Sequence, residues 1–366
     1  MSRSSRLAVV LSLVLVLGGC AGEPERAVFR LGLDRSTESK RLMWPPEKDG
    51  EIPRYFYVGE LTGENNFVRP ERKSDAAKSI IARFFDIIIG EERPMLLDRP
   101  QAGAVDESGR ILVTDMGNAG VFAFDEKQGT LSVWRKATGT IDLIAPVGIA
   151  IGPEGHVFVA DAELALIAHF DRDGNTKEPI GKGMLRRPTG LAYEPKTKRL
   201  FVADTQAHQI KIFDLEGKLL STLGEQGEGP GQFNYPTHIA VRHEKLYVSD
   251  TLNARVQVMS TPTGRYLGSL GKRGLQMGNL VRPKGVATDS EHNVYVIESY
   301  HDYLLVYNRR GEFLLPIGGV GQGAGNFHLP AGIWVDARNR VFVADMLNGR
   351  VAVFQFLGGD NDNEDW

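Results

Sequence analysis

The stretch Phe201-Val202-Ala203-Asp204-Thr205-Gln206-Ala207-His208-Gln209-Ile210-Lys211-Ile212-Phe213-Asp214 recurs, in close copies, about every 46 residues along the chain. The copies read Ile111-Leu112-Val113-Thr114-Asp115, Val157-Phe158-Val159-Ala160-Asp161, Leu246-Tyr247-Val248-Ser249-Asp250, Val294-Tyr295-Val296-Ile297-Glu298 and Val341-Phe342-Val343-Ala344-Asp345. A proline opens each repeat ahead of the acid (Pro100, Pro146, Pro188, Pro236, Pro283, Pro330), so the register is marked twice. A period of this length belongs to solenoids, propellers or arrays.

Working outward, each repeat carries Pro-x-Gly-Ile-Ala-Val, a turn, the apolar run ending in an acid, a short loop, Arg-Val-x-Val-Phe, Asp-x-x-Gly, and a last strand closing on Gly. The pairs Glu154-Gly155, Asp173-Gly174, Glu216-Gly217 and Arg310-Gly311 stand between extended runs, where tight hairpins require positive φ. Each repeat is therefore expected to be a four-stranded antiparallel meander. Its second strand is apolar on both faces rather than alternating, so both faces need cover. Radial stacking of the sheets about an axis supplies it.

The repeats resemble NHL repeats, best seen in Pro330-Ala-Gly-Ile-Trp-Val-Asp336, Val341-Phe-Val-Ala-Asp345 and Asn348-Gly-Arg350-Val-Ala-Val-Phe354. The resemblance spans six repeats, from Pro100 to about Leu357, and implies an all-β, six-bladed β-propeller of four-stranded antiparallel blades. The first repeat lacks the Arg after its loop, and the fifth has Glu298 in place of Asp. The sixth repeat stops after three strands, so another segment must complete its blade. Pro53 to Leu61 reads as a strand with a blade-like exit turn and is assigned as the ring-closing N-terminal strand, ahead of Phe84 to Gly90. Residues 74–90 instead read as one inserted amphipathic helix: Ser74-Asp75 can cap its start, Ala77, Ile80, Ile81, Phe84, Phe85 and Ile88 keep helical spacing, and Gly90 can end it. It is expected as a lid packed on the propeller.

The 366-residue chain has a formal net charge of −3 and one cysteine. That balance gives no reason to expect a nucleic-acid partner, and one thiol permits no internal disulfide. Arg3 and Arg6 precede an apolar run over residues 7–17, too short to span a bilayer, and then Leu17-Gly18-Gly19-Cys20. A basic start, a short apolar segment and small residues before a cut site fit a signal peptide over residues 1–19. The arrangement resembles the lipobox of bacterial lipoproteins, which implies lipidation of Cys20; the plain alternative is a secretion signal with an incidental cysteine. Ala21, rather than Asp, after the cysteine resembles the pattern sent to the outer membrane of Gram-negative cells. Residues 20–50 are polar and aperiodic, which suits a tether with a reach of about 30 Å. The acidic segment 358–366 is expected to be a solvated tail.

In such a meander, the loop between the second and third strands and the connector to the next blade emerge on one face. That face collects the most variable sequence, and loops on a rigid scaffold are where ligands bind. The candidate binding residues are His208, Gln209, His238, Arg255, His301, Asn348 and Arg350. The six strand-ending acids look like a catalytic ring, but each precedes a turn whose amides it can cap. The glycine-rich runs 227–231 and 319–325 follow strands but open no helix, so they are not phosphate loops. Asp171 to Asn175 has calcium-loop spacing without the distal glutamate and is read as a hairpin turn.

Thirteen residues before the acid, or one residue to either side of that count, the innermost strands carry Ala102, Gly148, Gly190, His238, Gly285 and Gly332: one polar side chain among small ones. Peptide-amidating lyases with NHL-like blades hold zinc through several histidines, and six-bladed sugar lactonases use carboxylates and an Asn; neither set is evident. A catalytic zinc needs about three protein ligands. The reading is a membrane-tethered, non-enzymatic binding or interaction scaffold of the cell envelope, without cofactor, whose partner is a protein, peptide or glycan. The alternative is a metal-dependent propeller enzyme of lyase or lactonase type.

Overall fold

The computed structural model describes residues 27–31, 42–46, 51–68 and 94–358. Six radial antiparallel sheets follow one another around a central axis. Their innermost strands are Pro100–Val105, Pro146–Ile151, Pro188–Glu194, Pro236–Arg242, Pro283–Thr288 and Pro330–Val335, the starts of blades 1 to 6. Each pairs with a second strand, Ile111–Asp115, Val157–Asp161, Arg199–Asp204, Lys245–Asp250, Val294–Glu298 or Arg340–Asp345. In every blade the opening proline faces the acid in register, as in Pro330↔Asp345, which brings the two sequence marks to one end of the sheet.

The second strands are buried residue after residue, as their two-faced apolarity requires. The cover comes from neighbouring blades: Val113, Phe122 and Phe124 of blade 1 share a cluster with Trp334, Phe342 and Ala344 of blade 6. Gly155, Gly174, Gly217 and Gly311 all take positive φ at the hairpins where the sequence places them.

Blade 6 is completed from the other end of the chain. Tyr55–Leu61 pairs antiparallel with Arg350–Phe356, from Val351↔Leu61 to Phe356↔Tyr55, so the assigned ring-closing strand is the observed one. The Arg350 guanidinium reaches Glu60 at 2.7 Å across this seam, and Tyr55 Oη lies 3.1 Å from Tyr295 Oη, which donates to Asp289 at 2.7 Å. The seam is thus held by both blade 6 and blade 5.

Two features depart from the expected layout. Blade 2 has three regular strands; its outer edge is reduced to the isolated bridges Phe170↔Thr176 and Ile167↔Ile180. Pro179 lies between these bridges, but Pro316 holds the matching place in the regular outer strand Phe313–Gly318 of blade 5, so the proline alone does not account for the broken edge. Parts of the expected tether are also docked: Val28–Phe29 pairs with Phe67–Val68, and Met43–Trp44 extends blade 6 beyond the closing strand. The overall polarity of residues 20–50 masks the few apolar side chains that do this, such as Trp44, whose ring meets Phe354 edge-on at 5.4 Å. The expected signal peptide, Cys20, the helix expected over 74–90 and residues 359–366 lie outside the described residues.

Candidate binding face and channel

The loops after the second strands and the blade-to-blade connectors meet on one face, and the six acids explain why. Each carboxylate reaches back to the connector entering its own blade and accepts backbone N–H groups there. Asp115 takes Asp98 N at 2.8 Å, Asp161 takes Ile144 N at 2.7 Å, and Asp204 takes Arg187 N at 2.8 Å. Asp250 takes Asn234 N at 2.6 Å, Glu298 takes Val281 N at 2.7 Å, and Asp345 takes His328 N at 2.7 Å. Capping of the following turn is added in some blades, as at Asn118 N and Tyr300 N. The acids are almost completely buried, so their charge is spent on amides and on basic neighbours.

The same contacts correct the list of candidate binding residues. Arg255 Nε lies 2.8 Å from Asp250, and its Nη2 donates to the carbonyls of Gly229 and Gln232. Arg350 repeats this with Asp345, Gly323 O and Asn326 O, and Asn348 Nδ2 donates to Gly321 O at 2.9 Å. These three side chains clamp the glycine-rich connectors onto their blades, with most of their donors used on the protein itself.

His208, Gln209 and His301 remain on the open face. His208 ends a short turn in the left-handed region at φ 57°, its Nδ1 accepts Tyr235 N at 3.3 Å, and its ring meets Tyr235 edge-on at 4.7 Å. His301 pairs in the same way with Tyr300 at 4.8 Å. Sequence reading did not single out the apolar side chains beside them. Ile144, Met184, Tyr235, Leu252, Leu275, Met277, Tyr300, Val320 and Leu347 are all exposed, and all belong to connectors or to loops after second strands.

His238 sits apart, near the loop-face end of the fourth innermost strand. The Thr251 hydroxyl donates to the Pro283 carbonyl at 2.8 Å, so it accepts from Thr237 Oγ1 at 2.7 Å. Thr237 Oγ1 in turn accepts from Nδ1–H of His238 at 3.1 Å. This relay holds the proton on Nδ1 and leaves Nε2 a bare acceptor, shielded and without a partner among the described residues. Burial, with the Lys284 charge adding to it, pushes the imidazole pKa down to about 3.

The small residues level with His238 serve packing. A Cβ on Gly148 would lie 2.0 Å from Thr189 O, and one on Gly332 would lie 2.2 Å from Gln101 O. Glycine there lets neighbouring innermost strands touch and narrows the channel. Below this ring a cavity of about 310 Å³ is lined by alanines, Ile149, Val286 and Ile333, with Tyr193, Arg242, Thr288 and Trp334 as its larger or polar members. Trp334 stands where the other five repeats have alanine; its ring stacks on Phe342 at 5.3 Å and lies over Gly103, and its Nε1–H has no partner among the described residues. That substitution was visible in the repeat alignment as the single large residue at its position. Among the described residues there is no group of three or more His, Cys, Asp or Glu able to hold a metal ion.

A family model described as "6-bladed beta-propeller" matches residues 194–274 and 280–364, a little under half of the chain. The E3 ubiquitin-protein ligase NHLRC1 of Homo sapiens is 26% identical over 162 residues, covering 43% of this chain and 38% of that protein. NHL repeat-containing protein 2 of Homo sapiens is 27% identical over 152 residues, covering 32% of this chain and 21% of that protein. The chain thus spans well under half the length of these relatives. Among solved structures, an auxiliary nutrient binding protein from Bacteroides thetaiotaomicron superposes with a TM-score of 0.57 at 13% identity, covering 72% of this chain and 70% of that one. A streptogramin B lyase superposes at 0.54 with 12% identity, covering 71% and 94%. Identities this low show a shared fold alone. Repeats, ring closure and relatives agree: the chain is a six-bladed β-propeller whose repeats are similar to NHL repeats.

Proposed function

We propose that the chain is a binding or interaction scaffold of the cell envelope, non-enzymatic, tethered to the membrane through a lipid on Cys20, with a protein, peptide or glycan held on the loop face. The observation that carries this reading is the division of labour on that face. Its carboxylates, Arg255 and Arg350 are spent on the protein's own backbone, while apolar side chains from successive connectors stand exposed in a ring. Exposed apolar side chains gathered on one face of a rigid scaffold suit a protein-interaction surface. The likeness to auxiliary nutrient binding proteins is compatible with a binding role.

The test is cross-linking capture from envelope extracts with the intact protein and with a Leu252→Ser, Tyr300→Ser, Leu347→Ser variant. These side chains are exposed, so the variant is expected to fold and to lose its captured partner. A variant that captures the same partner at the same yield refutes the loop-face reading. A stoichiometric, tightly held zinc in the purified protein, removed together with activity on a lactone or peptide substrate, refutes the non-enzymatic one. Replacing Cys20 by Ser is expected to move the protein from the membrane to the soluble fraction, and unchanged membrane association refutes the tether.

A further inference from the structure

The connector from blade 4 to blade 5 reads Gly271-Lys-Arg-Gly-Leu-Gln-Met-Gly-Asn-Leu-Val-Arg282, with three cations and no acid, and Lys284 follows two residues later. None of Lys272, Arg273, Arg282 and Lys284 takes part in an ion pair among the described residues; Arg273 Nη2 instead rests on Leu252 O at 2.9 Å. Some cations of the same face are matched locally, Arg99 with Asp98, Lys136 with Asp142 and Arg187 with Glu163, whereas Lys182 and Arg186 of the connector into blade 3 are, like the four above, without an ion pair among the described residues. In a chain of net charge −3, this is a local positive excess.

Lys284 is the member that points to a ligand. The register Pro283↔Glu298 places it at the loop-face end of an innermost strand. In blades 3 and 4 the same position is Thr189 and Thr237, whose hydroxyls lie 2.7 Å from Thr205 and Thr251. In blade 5 the matching hydroxyl, Ser299 Oγ, turns away to Arg282 O at 3.0 Å, and lysine stands in the threonine's place. The ammonium is half-buried and has no counter-ion; burial, with the Arg282 charge adding to it, lowers its pKa. A cation held out of water without a partner is costly unless an anion completes it.

Exposed apolar side chains stand on the chain segments that meet this strand end and on the connector that leads into it. Thr251 donates to Pro283 O and leads into Leu252, which is 51% exposed; Glu298 pairs with Pro283 and leads through Ser299 into Tyr300, 54% exposed. On the connector itself Leu275 is 73% exposed and Met277 50% exposed. We infer that this sector binds an acidic peptide segment, in which Lys284 takes a carboxylate at the inner rim while Leu252, Leu275, Met277 and Tyr300 take the flanking apolar side chains. Lys272, Arg273 and Arg282 at the outer edge add long-range attraction. A flat anionic lipid surface meets the exposed cations but does not reach a recessed lysine, whereas one side chain of an extended peptide does. The inference rests on the loop-face reading and names the chemistry of its ligand.

The test uses the full-length chain and a fluorescent octapeptide of alternating Glu and Leu, with its Gln–Leu counterpart and phosphatidylglycerol vesicles as the other arms. Saturable binding of the Glu–Leu peptide is expected, weakened about tenfold by Lys284→Gln, as for loss of one partner of a partly buried charge pair, and largely kept by Lys284→Arg. Lys284→Gln relieves an unpaired buried charge, so it is expected to melt no lower than the parent; should it fail to fold, Lys272→Gln with Arg282→Gln serves, with weaker binding at low salt. Equal affinity for the Gln–Leu peptide, no effect of Lys284→Gln, or binding to vesicles but not to peptide overturns the inference. If the loop-face serine variant loses its captured partner while the Glu–Leu peptide never binds, the acidic assignment falls and the wider reading stands.

Discussion

The shielded imidazole of His238 makes the stability of this propeller depend on pH in a way that a glycine substitution removes. Five of the six equivalent positions are glycine or alanine, so His238→Gly places in blade 4 a residue the ring already uses. In the folded protein the His238 pKa is about 3, against an ordinary histidine value near 6.5 in the unfolded chain. Above pH 6.5 both states are neutral and the histidine contributes no pH term. As pH falls below 6.5 the unfolded chain takes a proton that the folded protein refuses, so stability is lost progressively down to about pH 3. Between pH 7 and pH 5 the linkage amounts to about 2 kcal/mol, or a drop of about 3 °C in melting temperature for a domain of this size. Other titrating groups are common to both proteins and cancel in the difference. The assay is urea or thermal unfolding of parent and His238→Gly from about pH 7.5 to about pH 4.5, with the gap plotted against pH. The variant is expected to gain on the parent as pH falls. A flat difference, or a parent that gains on the variant in acid, refutes the buried neutral imidazole. Histidine ¹⁵N shifts at neutral pH give an independent check, since the relay through Thr237 requires the proton on Nδ1.

Gly148→Ala would place a Cβ 2.0 Å from a backbone carbonyl and is expected to cost about 3 kcal/mol or more, whereas Gly139→Ala, with nothing within 4 Å, stays within about 0.5 kcal/mol; thermal melts of the pair decide it. Arg350→Ala strips the buried Asp345 of its guanidinium and unlinks Glu60 of the closing strand, for an expected loss of about 3 kcal/mol by urea unfolding; Arg338→Ala, an exposed control, should lose little. Removal of residues 1–62 takes away Tyr55–Leu61 and bares the edge of Arg350–Phe356, so concentration-dependent association is expected in sedimentation velocity, and a monomeric truncation would refute the closure.

The sequence determined the repeat, and through it the fold. Two marks per repeat, the proline and the acid, prove to be one structural unit, because the acid's carboxylate fastens the connector that the proline ends. The two-faced apolar second strand and the turn glycines are local requirements, and local requirements are legible in a single chain. Ring closure was legible as well, since three strands in the last repeat demand a fourth and Pro53 to Leu61 reads as a strand with a blade-like exit turn. Blade 2's broken edge was not legible, since Pro179 has a counterpart, Pro316, in an intact outer strand, and the docked pieces at Val28–Phe29 and Met43–Trp44 were hidden by the polarity of their neighbours.

The tertiary structure alone decided which polar residues are free. Arg255, Asn348 and Arg350 look like ligand-binding residues in sequence, and only the approach of a connector from the preceding blade shows most of their donors used on backbone carbonyls and buried acids. The ring of small residues around His238 looks like an open channel wall, yet backbone contacts near 2 Å from a virtual Cβ make it a packing constriction. Lys284 was unremarked among other charged residues until the fold placed it half-buried, beside Arg282 and without an acid. Hydrogen-bond accounting and charge pairing are sums over residues far apart in the chain, and the propeller brings those residues together only when the ring has closed.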